Sequence, residues 1–147
     1  MNTRSIIFVV LLTLSCLCGA ATGEDVAVVA YKDAPDTPLS SSRLLDFYTG
    51  DIKAWSNGDP VVVFDLKEKG RTRDLFYSWL GKSPTRMKSI WMKKLLSGEG
   101  DPPEALKTEE EVLQRVASTP GAVGFVRKSL VDDQVTTVSV IKDSKSE

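Results

Sequence analysis

The run Val26-Ala27-Val28-Val29-Ala30 is apolar at every position, and that continuity limits the possible folds more than any other feature of the chain. A strand with one wet face alternates polar and apolar residues; a strand that is apolar throughout is covered on both faces, as in a parallel sheet sandwiched between helices. Val61-Val62-Val63-Phe64 and Ala122-Val123-Gly124-Phe125-Val126 repeat the pattern. Residues 135–141 instead mix Thr and Ser with Val, which suits an edge strand covered on one side.

Helical stripes lie between these runs. Ser40 to Ser42 offer an N-cap to Leu44, Leu45, Phe47 and Tyr48, and Gly50 closes that helix. After the turn Asn57-Gly58-Asp59-Pro60 and the second strand, two helices follow in tandem. The first covers about residues 72–80, with Leu75, Phe76, Trp79 and Leu80 on one face and Gly81 at its end. The second opens at Ser83 with Pro84 in its first turn, carries Met87, Ile90, Trp91 and Leu95 at helical spacing, and stops at Gly98. Residues 98–107, with paired Pro102-Pro103, read as a loop. Thr108 and Glu111 form a capping box for a fourth helix that buries Val112, Leu113, Val116 and Ala117 and ends at Pro120-Gly121. The order β-α-β-α-α-α-β-β predicts one α/β domain of three layers, a short, mainly parallel or mixed sheet flanked by helices. Residues 142–147 are a polar tail expected to fray.

Residues 1–22 stand apart from this domain. Arg4 supplies a positive start, residues 6–17 are apolar but for Thr13, Ser15 and Cys16, and Gly19, Ala20 and Ala21 are small. That is the layout of a secretory signal peptide cleaved between about residues 20 and 24, and the apolar run is short for a membrane span. Export to the periplasm is therefore expected, with no membrane span after cleavage. Both cysteines, Cys16 and Cys18, fall within the leader, and the residues before each fit a lipoprotein acceptor badly. The core of residues 23–141 must then hold without disulfides.

Charge and composition remove whole classes of function. With 19 basic and 20 acidic residues the chain lacks the positive field that nucleic acid requires. No histidine is present, which excludes Ser-His-Asp and Cys-His catalysis and His-ligated zinc. Glu109-Glu110-Glu111 are explained by the helix dipole at a first turn, and Asp132-Asp133 by a turn between strands. Nothing calls for a metal, a cofactor or a catalytic residue, and an enzyme is not expected. Trp79 and Trp91 lie on apolar stripes and read as core rather than sugar platforms, while Arg86, Lys88, Lys93 and Lys94 give their helix a basic outer side, read as a solvated face before a membrane or partner patch.

Three segments carry a resemblance. The passage Leu44-Leu45-Asp46-Phe47-Tyr48-Thr49-Gly50-Asp51-Ile52-Lys53-Ala54-Trp55-Ser56-Asn57-Gly58, the return strand Thr119-Pro120-Gly121-Ala122-Val123-Gly124-Phe125-Val126, and the first strand up to Tyr31 together resemble phosphate-type periplasmic solute-binding proteins, in that family's order. The resemblance implies a periplasmic-binding-protein-like lobe corresponding to the second lobe of the family, standing alone with half of the usual cleft. It also implies a small oxyanion such as phosphate as ligand. The family's anion-binding pattern, Arg-x-x-x-Ser-Gly-Thr-x-x-x-Phe, falls here on Leu66, Gly70, Arg71, Thr72 and Phe76, so that only the Thr and the Phe are kept.

The turn Gly70-Arg71-Thr72-Arg73 nevertheless opens a helix, offering unpaired N–H groups, a favourable dipole and two guanidiniums to an anion. It is the candidate site. The alternative role is a non-enzymatic interaction module of the envelope, in which the surface that faces the other lobe in the family meets another protein or a second copy.

Overall fold

The computed structural model describes residues 23–145. The expected signal peptide, including both cysteines, lies outside the described residues. Strands β1 (Val26–Tyr31), β2 (Val62–Leu66), β3 (Glu104–Leu106), β4 (Ala122–Arg127) and β5 (Val135–Ile141) form one sheet in the order β3-β2-β4-β1-β5. Helices α1 (Ser41–Thr49), α2 (Arg71–Leu80), α3 (Pro84–Leu96) and α4 (Glu109–Ser118) complete the domain, with a short 3-10 turn at Lys128–Leu130.

The sheet is mixed. β2 runs parallel to both β3 and β4, whereas β1 is antiparallel to β4 and to β5. The continuous apolar run of β1 does mark a strand covered on both faces, but its pairing is antiparallel on both sides: coverage by two layers of helix, and not strand direction, selects such a sequence. β3 overturns the reading of residues 98–107 as a loop. It is three residues long and flanked by Pro102-Pro103, so it has no periodicity to recognise; its pairing with Phe64, Asp65 and Leu66 of β2 is what makes it a strand.

Helix α4 packs alone on one face and α1, α2 and α3 on the other, giving the three layers. On the three-helix face Phe76 stacks flat on Phe125, with centroids 3.8 Å apart, and meets Tyr48 and Tyr77 edge-on. The caps follow the sequence closely. Ser40, Ser83 and Thr108 accept from the amides of Arg43, Arg86 and Glu111, and Gly50 and Gly81 close α1 and α2 in the left-handed conformation. The capping box differs in one bond: the Glu111 carboxylate takes the amide of Lys107, one residue before the cap. Lys94 also departs from the basic outer side expected for it. Its ammonium turns inward to the Thr49 carbonyl at 2.7 Å and to Asp51 at 2.6 Å.

Asp51 is one of three carboxylates held below the ordinary Asp range. The Lys94 ammonium lowers it first and the Thr49 hydroxyl second; Asp25 is lowered by Lys142 and by the Asp143 amide; Asp143 is lowered by Arg71 and by the Lys145 amide. Groups whose pKa falls on folding stabilise the fold above the unfolded value of about 3.9 and lose that contribution as pH drops through the folded value. Burial pushes Asp65 the other way, so its ionised form weakens the fold above the same pH. As the three lowered carboxylates protonate, the melting temperature is expected to fall below about pH 4. A melting temperature that rises toward pH 3 would contradict this assignment of signs.

Candidate functional site

The carboxyl ends of the parallel strands β2 and β4 open onto a cleft of about 280 Å³, with the first turns of α2 and α4 on either side. In open α/β sheets this is the end at which ligands collect, because helix N-termini point there. The sequence-derived residues Gly70, Arg71, Thr72 and Arg73 all line it.

Gly70 is the N-cap of α2, and no side chain accepts from the first-turn amides. α1, α3 and α4, by contrast, each have a Ser or Thr oxygen in that role. The backbone at Gly70 is extended, and a Cβ added there would meet nothing within 4 Å, so the glycine leaves open space in front of the helix. Thr72 is half-buried in the same turn.

The two arginines are already engaged. Arg71 grips Asp143 with Nε and Nη2, and the Asp143 side chain has no exposed surface. Asp143 in turn donates its amide to Asp25, so the start of the C-terminal tail is tied to both α2 and the residue before β1. Arg73 points back along β2: its Nε donates to the Leu66 carbonyl at 2.8 Å, Nη2 lies 3.8 Å from Asp65, and its plane covers the Tyr77 ring at 5.0 Å. These bonds pin the first turn of α2 to the end of β2.

Five cleft residues were not among the candidates: Glu24, Glu68, Lys69, Glu109 and Arg127. Glu109 is buried and accepts the Arg127 amide at 2.8 Å, and the Arg127 guanidinium reaches Glu109 and Glu110. Its place in a first turn explained it by the dipole alone; nothing local could show that β4 ends against it. Lys69 is exposed on the rim and has no carboxylate partner among the described residues. The pull on an anion therefore comes from the uncapped amides of α2 and from Lys69, with Arg71 available only if it leaves Asp143.

A second hollow, of about 490 Å³, lies between α3 and the β2–β3 edge, with Asp65, Arg73 and Tyr77 at its polar end and Met87, Trp91 and Pro103 among its apolar walls. No local pattern marks it, because its walls come from five separate elements and the Pro102-Pro103 turn.

Sheet order, layers and cleft together define an α/β fold like the lobe of a periplasmic binding protein. No protein-family model matches the chain, and no curated protein matches it in sequence. Solved structures do. A Clostridium perfringens protein described as a phosphate ABC transporter substrate-binding protein, with bound phosphate, matches over 78% of this chain and 44% of its own, at 23% identity and a TM-score of 0.64. An ABC-type phosphate transport receptor from Vibrio cholerae matches over 78% and 45%, at 20% identity and a TM-score of 0.60. PstS from Borrelia burgdorferi matches over 79% and 47%, at 12% identity and a TM-score of 0.57. The chain thus spans less than half the length of these proteins, and at such identities the likeness is one of fold.

Proposed function

We propose that this chain is an exported solute-binding module of the phosphate-transport type and holds a small oxyanion, phosphate first, at the N-terminus of α2. The observation that carries this reading is the uncapped first turn at Gly70, facing a cleft at the carboxyl ends of β2 and β4 while the other helices are capped by side chains. Support for the class comes from the fold it shares with phosphate transport receptors, and support for export from the leader-like residues 1–22. Gly70, Arg71 and Thr72 supply amides; Lys69 and, once released, Arg71 supply charge.

A second reading, a module for protein contact in the envelope, is favoured by the pairing of Arg71, Arg73 and Arg127 with carboxylates, which leaves little free positive charge in the cleft. Calorimetric titration with phosphate, with sulfate as competitor, separates the two. In the first reading wild type gives saturable heat, Gly70→Asp gives none because its own carboxylate occupies the helix start, and Asp143→Asn binds about tenfold more tightly by releasing Arg71. Absence of heat in both wild type and Asp143→Asn would discard the anion reading. The search would then turn to cross-linked partners and self-association.

A further inference from the structure

Helix α3 is held from one side only. Met87 is buried, the Trp91 indole donates to the Tyr48 carbonyl at 2.8 Å, and Lys94 is bound to Thr49 and Asp51. On the remaining surface stand Met92, Leu95 and Leu96, 49%, 47% and 81% exposed, three of the four exposed large hydrophobic residues among those described. Leu95 thus departs from the apolar stripe on which its spacing places it, because nothing packs over the end of that stripe. Lys88 and Lys93 share one shallow surface with Met92 and Leu96, and Lys88, Met92 and Leu96 succeed one another at four-residue spacing along a single ridge. Met92 and Leu95 also continue into the walls of the larger hollow, so the apolar strip does not stop at the helix.

The charge on this helix is one-sided. α3 contains Arg86, Lys88, Lys93 and Lys94 and no acidic residue, although the whole chain carries a net −1. Arg86, Lys88 and Lys93 have no ion pair among the described residues. An exposed apolar strip with Lys88 within it and Lys93 and Arg86 along one side is the arrangement of a helix that lies in a lipid–water interface, its apolar side chains entering the acyl boundary and the lysine stems reaching back to the headgroups.

We propose that the outer face of α3 docks on the surface of an anionic lipid bilayer. A protein surface suits it less well: lysine is depleted at protein interfaces, whose anchors are buried aromatic and arginine side chains, and here Trp91 faces inward while the flanking cations are chiefly lysine. Three apolar side chains and three cations give reversible, peripheral attachment, not insertion. The proposal is independent of the anion reading, since α3 lies outside the cleft.

The test is co-sedimentation of residues 23–147, which contain every described core residue, with vesicles of phosphatidylglycerol in phosphatidylcholine. Binding is expected to the anionic vesicles and not to pure phosphatidylcholine. It should be lost at about 1 M salt, where the screening length is about 3 Å. Lys88→Glu/Lys93→Glu should lower the partition coefficient by about tenfold or more, and Met92→Ser/Leu96→Ser by a similar factor. Thermal melts establish that each variant is folded; if a double variant melts early, Leu96→Ser alone replaces it. Failure of wild type to bind anionic vesicles at low salt, or equal binding by wild type and both variants, would overturn the proposal. Retention by an acidic protein with no affinity for vesicles would overturn it in favour of a protein partner.

Discussion

Replacing Gly121 with alanine is expected to cost about 3 kcal/mol of unfolding free energy, from left-handed strain and a backbone collision acting together. Gly121 sits at φ 77°, where an L side chain is strained, and an added Cβ would stand 2.3 Å from the Pro60 carbonyl oxygen. That oxygen belongs to backbone and has no rotamer through which to retreat. The residue is also a junction: its carbonyl accepts the Val62 amide at 3.0 Å and the Trp55 indole N–H at 3.0 Å, so displacing it loosens β2, β4 and the segment after α1 at once. Gly81→Ala provides the comparison, because it has the same sign of φ and nothing within 4 Å. Strain alone predicts about 1 kcal/mol there. Urea denaturation of both variants measures the difference; equal losses would show that the contact with Pro60 contributes nothing.

Phe76→Ala is expected to destabilise by about 3–5 kcal/mol, the range for removing a buried aromatic ring. Phe76 has no exposed surface and lies at the centre of the aromatic cluster, stacked on Phe125 and edge-on to Tyr48 and Tyr77. The cavity would open between α2 and the sheet, where α1 also leans, so neighbouring rings cannot close it without moving the helices. Phe76→Leu keeps most of the volume and should cost less than half as much. Trp79→Ala, on the half-buried side of the same helix, should cost less than Phe76→Ala although the side chain is larger. If Trp79→Ala proved the more damaging in denaturant titrations, the core would not be centred where the rings place it.

These two sites show how unevenly the sequence speaks. Phe76 could be placed on a buried stripe from spacing alone. Gly121 could be placed at the end of a helix, but its collision partner Pro60 lies far away in the chain, and no local pattern pairs them. The quoted segments around Trp55 and Gly121 acquire their physical meaning in the same way, for the indole of one donates to the carbonyl of the other.

The candidate site was legible to a similar depth. Gly70-Arg71-Thr72-Arg73 could be recognised as the opening of a helix, and it does line a cleft. That Arg71 would be taken by Asp143, and Arg73 by Leu66 and Asp65, depends on where β5 ends and where β2 leads, which spacing within the turn does not encode.

By itself, then, the sequence determined what is decided within about one turn of helix or one strand: the caps at Ser40, Ser83 and Thr108, the left-handed closures at Gly50 and Gly81, and the covered runs of β1 and β4, whereas the run at Val61 to Val63 is only half-buried. Those follow from hydrogen bonds and side-chain periods that close locally. Tertiary structure alone decided the antiparallel placement of β1, the existence of β3, the inward turn of Lys94 and the carboxylates that occupy the arginines. Each of these rests on a partner distant in sequence, whose arrival is settled by how the layers pack and not by the residues on either side.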